Sequence, residues 1–153
     1  MDPNDAKVWF GAAPPDLTVI ARSRASGDGS GADWLYTYLR TFYRDVSRPS
    51  GWNNTTYPNV GMPHVLWELQ GEQVMKPNQV RADGHMKPAL DKPGKLSALD
   101  YDRAVADLVN YMVYMGEPAA KSRKTIGLIV LGFLLLLIPL IYALKKEFWK
   151  DVH

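Results

Sequence analysis

The sequence predicts a mainly α-helical body with long irregular loops, tethered by one C-terminal transmembrane helix. Three observations carry this reading. Residues Thr125 to Leu144 run TIGLIVLGFLLLLIPLIYAL without a charge, and at a helical rise of about 1.5 Å per residue such a run covers the roughly 30 Å of a bilayer's hydrocarbon core. Two body segments, Ala32 to Arg44 and Tyr101 to Met115, repeat apolar residues at helical spacing. The stretches between them are rich in Pro, Gly and Asn and show no periodicity.

Taken in order, Ala12 to Arg24 reads as a Pro-marked entry into a short helix. Pro14 and Pro15 suit a loop and a first helical turn, Asp16 suits a helix N-terminus, and Leu17, Ile20 and Ala21 form the apolar stripe. Ser26 to Gly31, SGDGSG, is a flexible turn. The second helix spans Ala32 to Arg44, with Leu35, Tyr38, Leu39 and Phe42 on one side. Asp45 to Pro63 is an ordered but irregular loop, in which the overlapping glycosylation sequons at Asn53 and Asn54 are chance products of turn composition. Val65 to Leu69 is a short apolar segment, and Gln70 to Lys95 is a polar connector able to hold a small hairpin. Ser97 and Asp100 form a capping-box-like start for the third helix, whose stripe is Tyr101, Val105, Leu108, Met112 and Met115 and whose end is Gly116, before Pro118.

The boundaries that follow are a body over 1–118, a basic juxtamembrane linker over 119–124, the span at 125–144 and a short basic tail over 145–153. Charge divides along the same line. Residues 1–120 hold 12 Lys/Arg against 14 Asp/Glu, whereas residues 121–153 hold 6 against 2. The basic excess therefore flanks the span, where anionic lipid is the partner, and the body has no basic patch for nucleic acid. The chain contains no cysteine, which excludes disulfides, thiolate metal sites, cysteine nucleophiles and a C-x-x-C-H haem attachment within it. The amino terminus lacks a basic n-region and an apolar h-region, so on residues alone the address is a C-terminal tail anchor with a cytoplasmic body.

Catalytic chemistry is not visible. His64, His85 and His153 are scattered, none has a second ligand at metal-site spacing, and His64 reads as a solvated loop residue. No nucleophile triad or phosphate loop is present. One position stands out: Met62, in Asn59-Val60-Gly61-Met62-Pro63. A methionine sulfur is a soft donor suited to axial haem ligation, though a loop methionine is usually a packing residue.

The order of the pieces, APPDLTVIARSR, GADWLYTYLR, a Pro/Asn-rich loop ending in NVGMP, a capped helix ending in GEP, a basic stretch and a single span, resembles the C-terminal part of cytochrome c1. That family is the membrane-anchored c-type cytochrome of ubiquinol–cytochrome c oxidoreductase, respiratory complex III. The resemblance implies a partial c-type cytochrome domain that is no enzyme on its own and carries electrons from the iron–sulfur protein to soluble cytochrome c. It implies haem c as cofactor, cytochrome b and the Rieske subunit as partners, Met62 as the axial iron ligand and Arg24 as the partner of a haem propionate. Pro14 and Pro15 match the segment packed against the haem, and Trp34 matches an aromatic beside it. It also implies a body on the periplasmic side of the inner membrane and a cytoplasmic C-terminus. The family's attachment cysteines and proximal histidine have no counterpart here, as in a fragment, a split subunit or a shortened gene. A cofactor-free, membrane-tethered interaction or assembly protein is the alternative. Without the family's N-terminal half, Leu35, Leu39 and Val105 are expected to face water and leave residues 1–118 molten or prone to aggregate.

Overall fold

The computed structural model describes residues 2–10, 13–27, 29–80 and 86–150. His85, His153 and the tip of the polar connector lie outside them. The chain divides into two units, Met1–Gly116 and Glu117–His153.

The first unit is built on two helices. α1 (Pro3–Phe10) and α2 (Ile20–Ser23) precede α3 (Gly31–Arg40), followed by β1 (Phe42–Arg44), β2 (Trp52–Asn54), α4 (Trp67–Gln70), β3 (Gly71–Val80), β4 (Met86–Pro93) and α5 (Ala98–Gly116). Strands β1 and β2 pair antiparallel, and β3 and β4 form a separate antiparallel hairpin. α3 begins at Ser30, whose hydroxyl accepts the Asp33 amide at 3.1 Å, an N-cap of the usual kind. α5 begins in the same way at Ser97, which accepts the Asp100 amide at 3.2 Å. The Asp100 carboxylate accepts the Ser97 hydroxyl instead of reaching back to a backbone amide, so the capping box is half made.

α3 lies against α5. Leu35, Tyr38 and Leu39 from the first meet Tyr101, Val105, Val109 and Met112 from the second, and Phe42 from β1, Trp52 and Val60 close the cluster. The Tyr101 hydroxyl donates to the Leu39 carbonyl at 2.9 Å. Arg40 grips Asp102 through Nε and Nη2 at 2.6 and 2.8 Å, a bidentate geometry that fixes orientation as well as distance. α2 meets both long helices, and Gly31 makes this possible. A Cβ there would stand 1.7 Å from the Ala21 carbonyl oxygen, so only a hydrogen fits where the two backbones touch.

Several expectations are corrected. Leu35, Leu39 and Val105 are buried because α3 and α5 cover each other, so the body closes a core of its own. The second helix stops at Arg40 and the chain turns into β1, leaving Arg44 on a strand. Thr41 ends it: its hydroxyl donates to the Thr37 carbonyl at 2.8 Å and its amide bonds the Tyr38 carbonyl. On α5, Val109 and not Leu108 completes the inward stripe. Only Ile20–Ser23 of the first expected helix is helical, and Leu17 is exposed. His64 is 2% exposed, stacked on Phe42 at 4.8 Å with the rings parallel and edge-on to Trp52. The Asn53 and Asn54 side chains are buried, which removes them as glycan acceptors in the folded protein.

The second unit is one helix, α6 (Ala120–Phe148), which contains the apolar run and Pro139. Its length, and the mean hydropathy of 2.8 reached over an 18-residue window within it, suit a membrane span, and none of that window is buried. A proline inside such a helix is tolerated in a bilayer, where neighbouring groups re-satisfy the freed carbonyl. Lys121, Arg123 and Lys124 precede the apolar run and Lys145, Lys146 and Lys150 follow it.

Two outcomes follow from this core. Phe42 is fully buried, and Phe42→Ala should cost about 3–5 kcal/mol in denaturant unfolding of the detergent-solubilised chain; a loss under about 1 kcal/mol would contradict the packing. Burial lowers the His64 imidazole pKa to about 4, with a nearby Gln70 opposing and Arg44 reinforcing the shift. The unfolded chain therefore binds a proton at this position between about pH 6.5 and 4 that the folded chain refuses. Stability is full above about pH 6.5 and falls as pH drops through that window, by up to about 3 kcal/mol at 1.36 kcal/mol per unit. Melting curves at pH 7 and 4.5 should separate more widely in the wild type than in His64→Phe.

Candidate functional site

The site is assembled from α2, α3 and the loop after β2. The loop is irregular in outline but fully specified by side-chain amides. Asn54 Oδ1 accepts the amides of Thr56 and Tyr57 at 2.8 and 3.1 Å and the Thr41 hydroxyl at 3.2 Å, while its Nδ2 donates to the Tyr38 carbonyl at 2.7 Å. Asn53 Oδ1 accepts the amides of Asn54 and Asn59, both at 2.9 Å, and its Nδ2 donates to Asp45. The Ser47 hydroxyl, then the Asn53 amide and the Ser47 backbone N–H, hold the Asp45 carboxyl below its ordinary range. Asn59 itself adopts φ 63°, a left-handed conformation that asparagine accepts more readily than most residues. Arg48 donates to its side-chain oxygen and its carbonyl at 3.1 and 3.0 Å.

This scaffold delivers Met62. Val60 and His64 are both buried, while Gly61, Met62 and Pro63 between them face outward. Met62 is thus strapped from both sides and 37% exposed. Its sulfur accepts the Tyr38 hydroxyl at 3.4 Å. The Tyr38 ring stacks on Trp34 at 4.9 Å and 11°. Arg24 lays its guanidinium 4.6 Å above the Trp34 ring centre and 5.4 Å from that of Tyr57, a cation–π arrangement worth about 0.5–1 kcal/mol at an exposed position. Burial raises the Tyr38 phenol pKa, against which the Arg24 charge acts.

Three of the five residues expected at the site, Arg24, Trp34 and Met62, are therefore joined by one chain of contacts through Tyr38. Pro14 and Pro15 lie exposed in the non-regular segment 13–17, outside that chain. Tyr38 and Tyr57 were not singled out by sequence reasoning. Tyr38 reads there as one more member of an apolar stripe.

A larger concavity lies between α3, α5 and the β3–β4 hairpin, bordered by Arg40, Gln70, Gln73, Lys76, Lys87 and Asp102. Arg40 is spent on Asp102, and its carbonyl accepts Nε2 of both Gln70 and Gln73 at 3.0 and 2.9 Å. These bonds tie the hairpin to the helix pair, so the cleft reads as a seam. Glu72, taking Arg44 at 2.7 Å and Lys92 at 3.1 Å, ties β1 to the same hairpin.

Chemically, the Met62 face offers a soft thioether donor, a planar cation and aromatic surface. This set fits one side of a haem: sulfur for iron, guanidinium for a carboxylate, rings for the macrocycle. It does not supply the opposite side. The chain has no thiol, and the ring nitrogens of His64 are buried in the core without a hydrogen-bond partner. Among the described residues no cluster of three His, Cys, Asp or Glu side chains is disposed to hold a metal ion.

Comparison with known proteins gives a consistent result. The profile of the Cytochrome C1 family matches residues 3–152. An "ammonia monooxygenase gamma subunit" of Nitrosomonas europaea is 54% identical over the whole of this chain and 60% of its own length. The cytochrome c1 of Allochromatium vinosum is 48% identical over the whole of this chain and 62% of its own length, and that of Rhodospirillum rubrum 29% identical over 93% and 52%. The chain thus spans about 60% of the length of the first two of these relatives.

Proposed function

Because the chain belongs to the cytochrome C1 family, we propose that it is the C-terminal portion of a membrane-anchored electron-transfer subunit in which Met62 is an axial haem ligand. The observation that carries this is the presentation of Met62. Val60 and His64, two residues to either side, are pinned in the core while Met62 itself is 37% exposed, as suits a ligand more than a packing residue. The bound haem supplies one-electron chemistry at iron.

The chain's own residues supply the surroundings. Met62 would hold the iron as a soft donor, which would favour the reduced state and raise the potential. Arg24, held over Trp34, presents a fork that suits a propionate. Trp34 and Tyr57 give apolar surface that excludes water from the ring edge, and Pro14 and Pro15 pack against the haem from the preceding segment. Covalent attachment and a second iron ligand would come from elsewhere, since this chain has no cysteine and, among the described residues, its histidine, His64, is buried in the core. In this reading the domains are 1–118, 119–124, 125–144 and 145–153. Cytochrome b and the Rieske protein are the membrane partners, and soluble cytochrome c is the acceptor in a respiratory complex III. The basic flanks of the span meet anionic lipid.

A second reading is favoured by the missing thiols together with the closed core: a cofactor-free, membrane-tethered interaction or assembly protein. The two part on one measurement. A pyridine haemochrome assay of the protein purified from its native membrane should show haem c, and its absence would leave the second reading standing. In the haem-containing preparation, Met62→Ala should abolish the low-spin spectrum and lower the potential; an unchanged spectrum and potential would refute the ligand assignment.

In this reading the body faces the periplasm and the tail the cytoplasm. Because the chain contains no cysteine, single introduced thiols report without background. Val46→Cys should react with an impermeant maleimide in intact spheroplasts, and Lys146→Cys only after lysis. The reverse pattern would invert the topology.

A further inference from the structure

Tyr38 is clamped on two sides. Its ring stacks on Trp34 at 4.9 Å and meets Phe42 edge-on at 5.0 Å and 67°, and the residue as a whole is buried. Two aromatic neighbours leave the hydroxyl as the polar end of an otherwise apolar side chain, and a buried tyrosine hydroxyl normally finds an acceptor. The acceptor is Met62 Sδ at 3.4 Å. A backbone or carboxylate oxygen would be a stronger acceptor than a thioether, which is a weak one with no proton of its own. Elsewhere in the core such a choice is made differently: Tyr101 gives its hydroxyl to the Leu39 carbonyl.

We propose that Tyr38 is a positioning residue for Met62, its hydroxyl occupying one sulfur lone pair so that the other is directed outward and is a weaker electron donor. The inference rests on Met62 being the axial ligand. Two consequences follow. The thioether, on a side chain with three rotatable bonds, is restricted to one presentation by a phenol that is itself wedged between rings and cannot follow it. A proton shared with the sulfur also withdraws electron density from it, which disfavours oxidised iron, the more demanding acceptor, relative to reduced iron.

The test uses the haem-containing protein purified from its native membrane, read by redox titration and by the sulfur-to-iron charge-transfer absorption. Tyr38→Phe keeps the ring and removes only the hydroxyl. At a fixed ambient potential it should shift the oxidised-to-reduced ratio about two- to tenfold toward oxidised, the scale of one net hydrogen bond, and move the charge-transfer band without abolishing it. Replacing Tyr38 with 3-fluorotyrosine, a stronger donor of the same shape, should move the ratio the opposite way, and it serves as the probe if the phenylalanine variant fails to fold. Should both variants leave ratio and band unchanged while Met62→Ala abolishes the band, the role of Tyr38 is refuted and Met62 ligation stands. Should Met62→Ala itself change nothing, ligation and the Tyr38 role fall together.

Discussion

The body depends on one buried amide. Asn54 sits at the junction of α3, β2 and the loop that follows, 1% exposed, and its single side chain serves four partners. The Tyr38 carbonyl, near the end of α3, receives its Nδ2 proton, so the helix terminus is satisfied by a residue sixteen positions away. The same side chain's oxygen gathers two successive loop amides, and these begin the descent toward Met62. A buried amide group satisfied this fully specifies one arrangement, because losing any partner leaves a desolvated dipole at a cost of roughly 1–3 kcal/mol. Helix end, strand pair and Met62 loop are therefore built as one.

From there the chain separates what must be rigid from what must be reachable. Val60 and His64 bury and Met62 does not, and the core beneath them is a run of rings: Trp34 on Tyr38, Tyr38 against Phe42, Phe42 on His64, His64 against Trp52. Guanidinium groups cap both ends, Arg24 over Trp34 and Arg44 at 4.0 Å over Trp52. His64 contributes here as a neutral aromatic plate. Its two ring nitrogens go without partners, an expense tolerated because the plate fixes the loop two residues from the thioether.

What the sequence disclosed and what it hid divide on physical lines. α5 and the membrane span are written in local periodicity and could be read directly, down to the Ser97 start and the Gly116 end. The early end of α3 could not, since Ala32 to Arg44 keeps its apolar rhythm past Arg40. The break is imposed by Thr41 and by Asn54 from across the fold, a tertiary preference overriding a helical one. The choice of Val109 over Leu108 on α5 is likewise set by where α3 lies. α1 (Pro3–Phe10) has too little amphipathic signal to announce itself. Met62 could be noticed as a soft donor in a Gly/Pro-flanked loop, but only the NVGMP resemblance favoured ligation over packing, because a methionine in a loop carries no pattern. Tyr38 and Asn54 gave no local sign at all: one was hidden in a stripe, the other in what looked like ordinary turn composition.

Gly31 gives this arrangement a particular history. The spacing between Arg24 and Trp34 is set where the Gly31 backbone rests on the carbonyl of Ala21, before any side chain chooses a rotamer. Descendants of this sequence are free to trade the indole for another ring or the guanidinium for another cation and keep the same gap between them. They are not free to add one carbon at position 31. The most conservative substitution available to a glycine would push α2 off α3 and carry Arg24 away with it, so drift at this surface is steered by an atom that is absent.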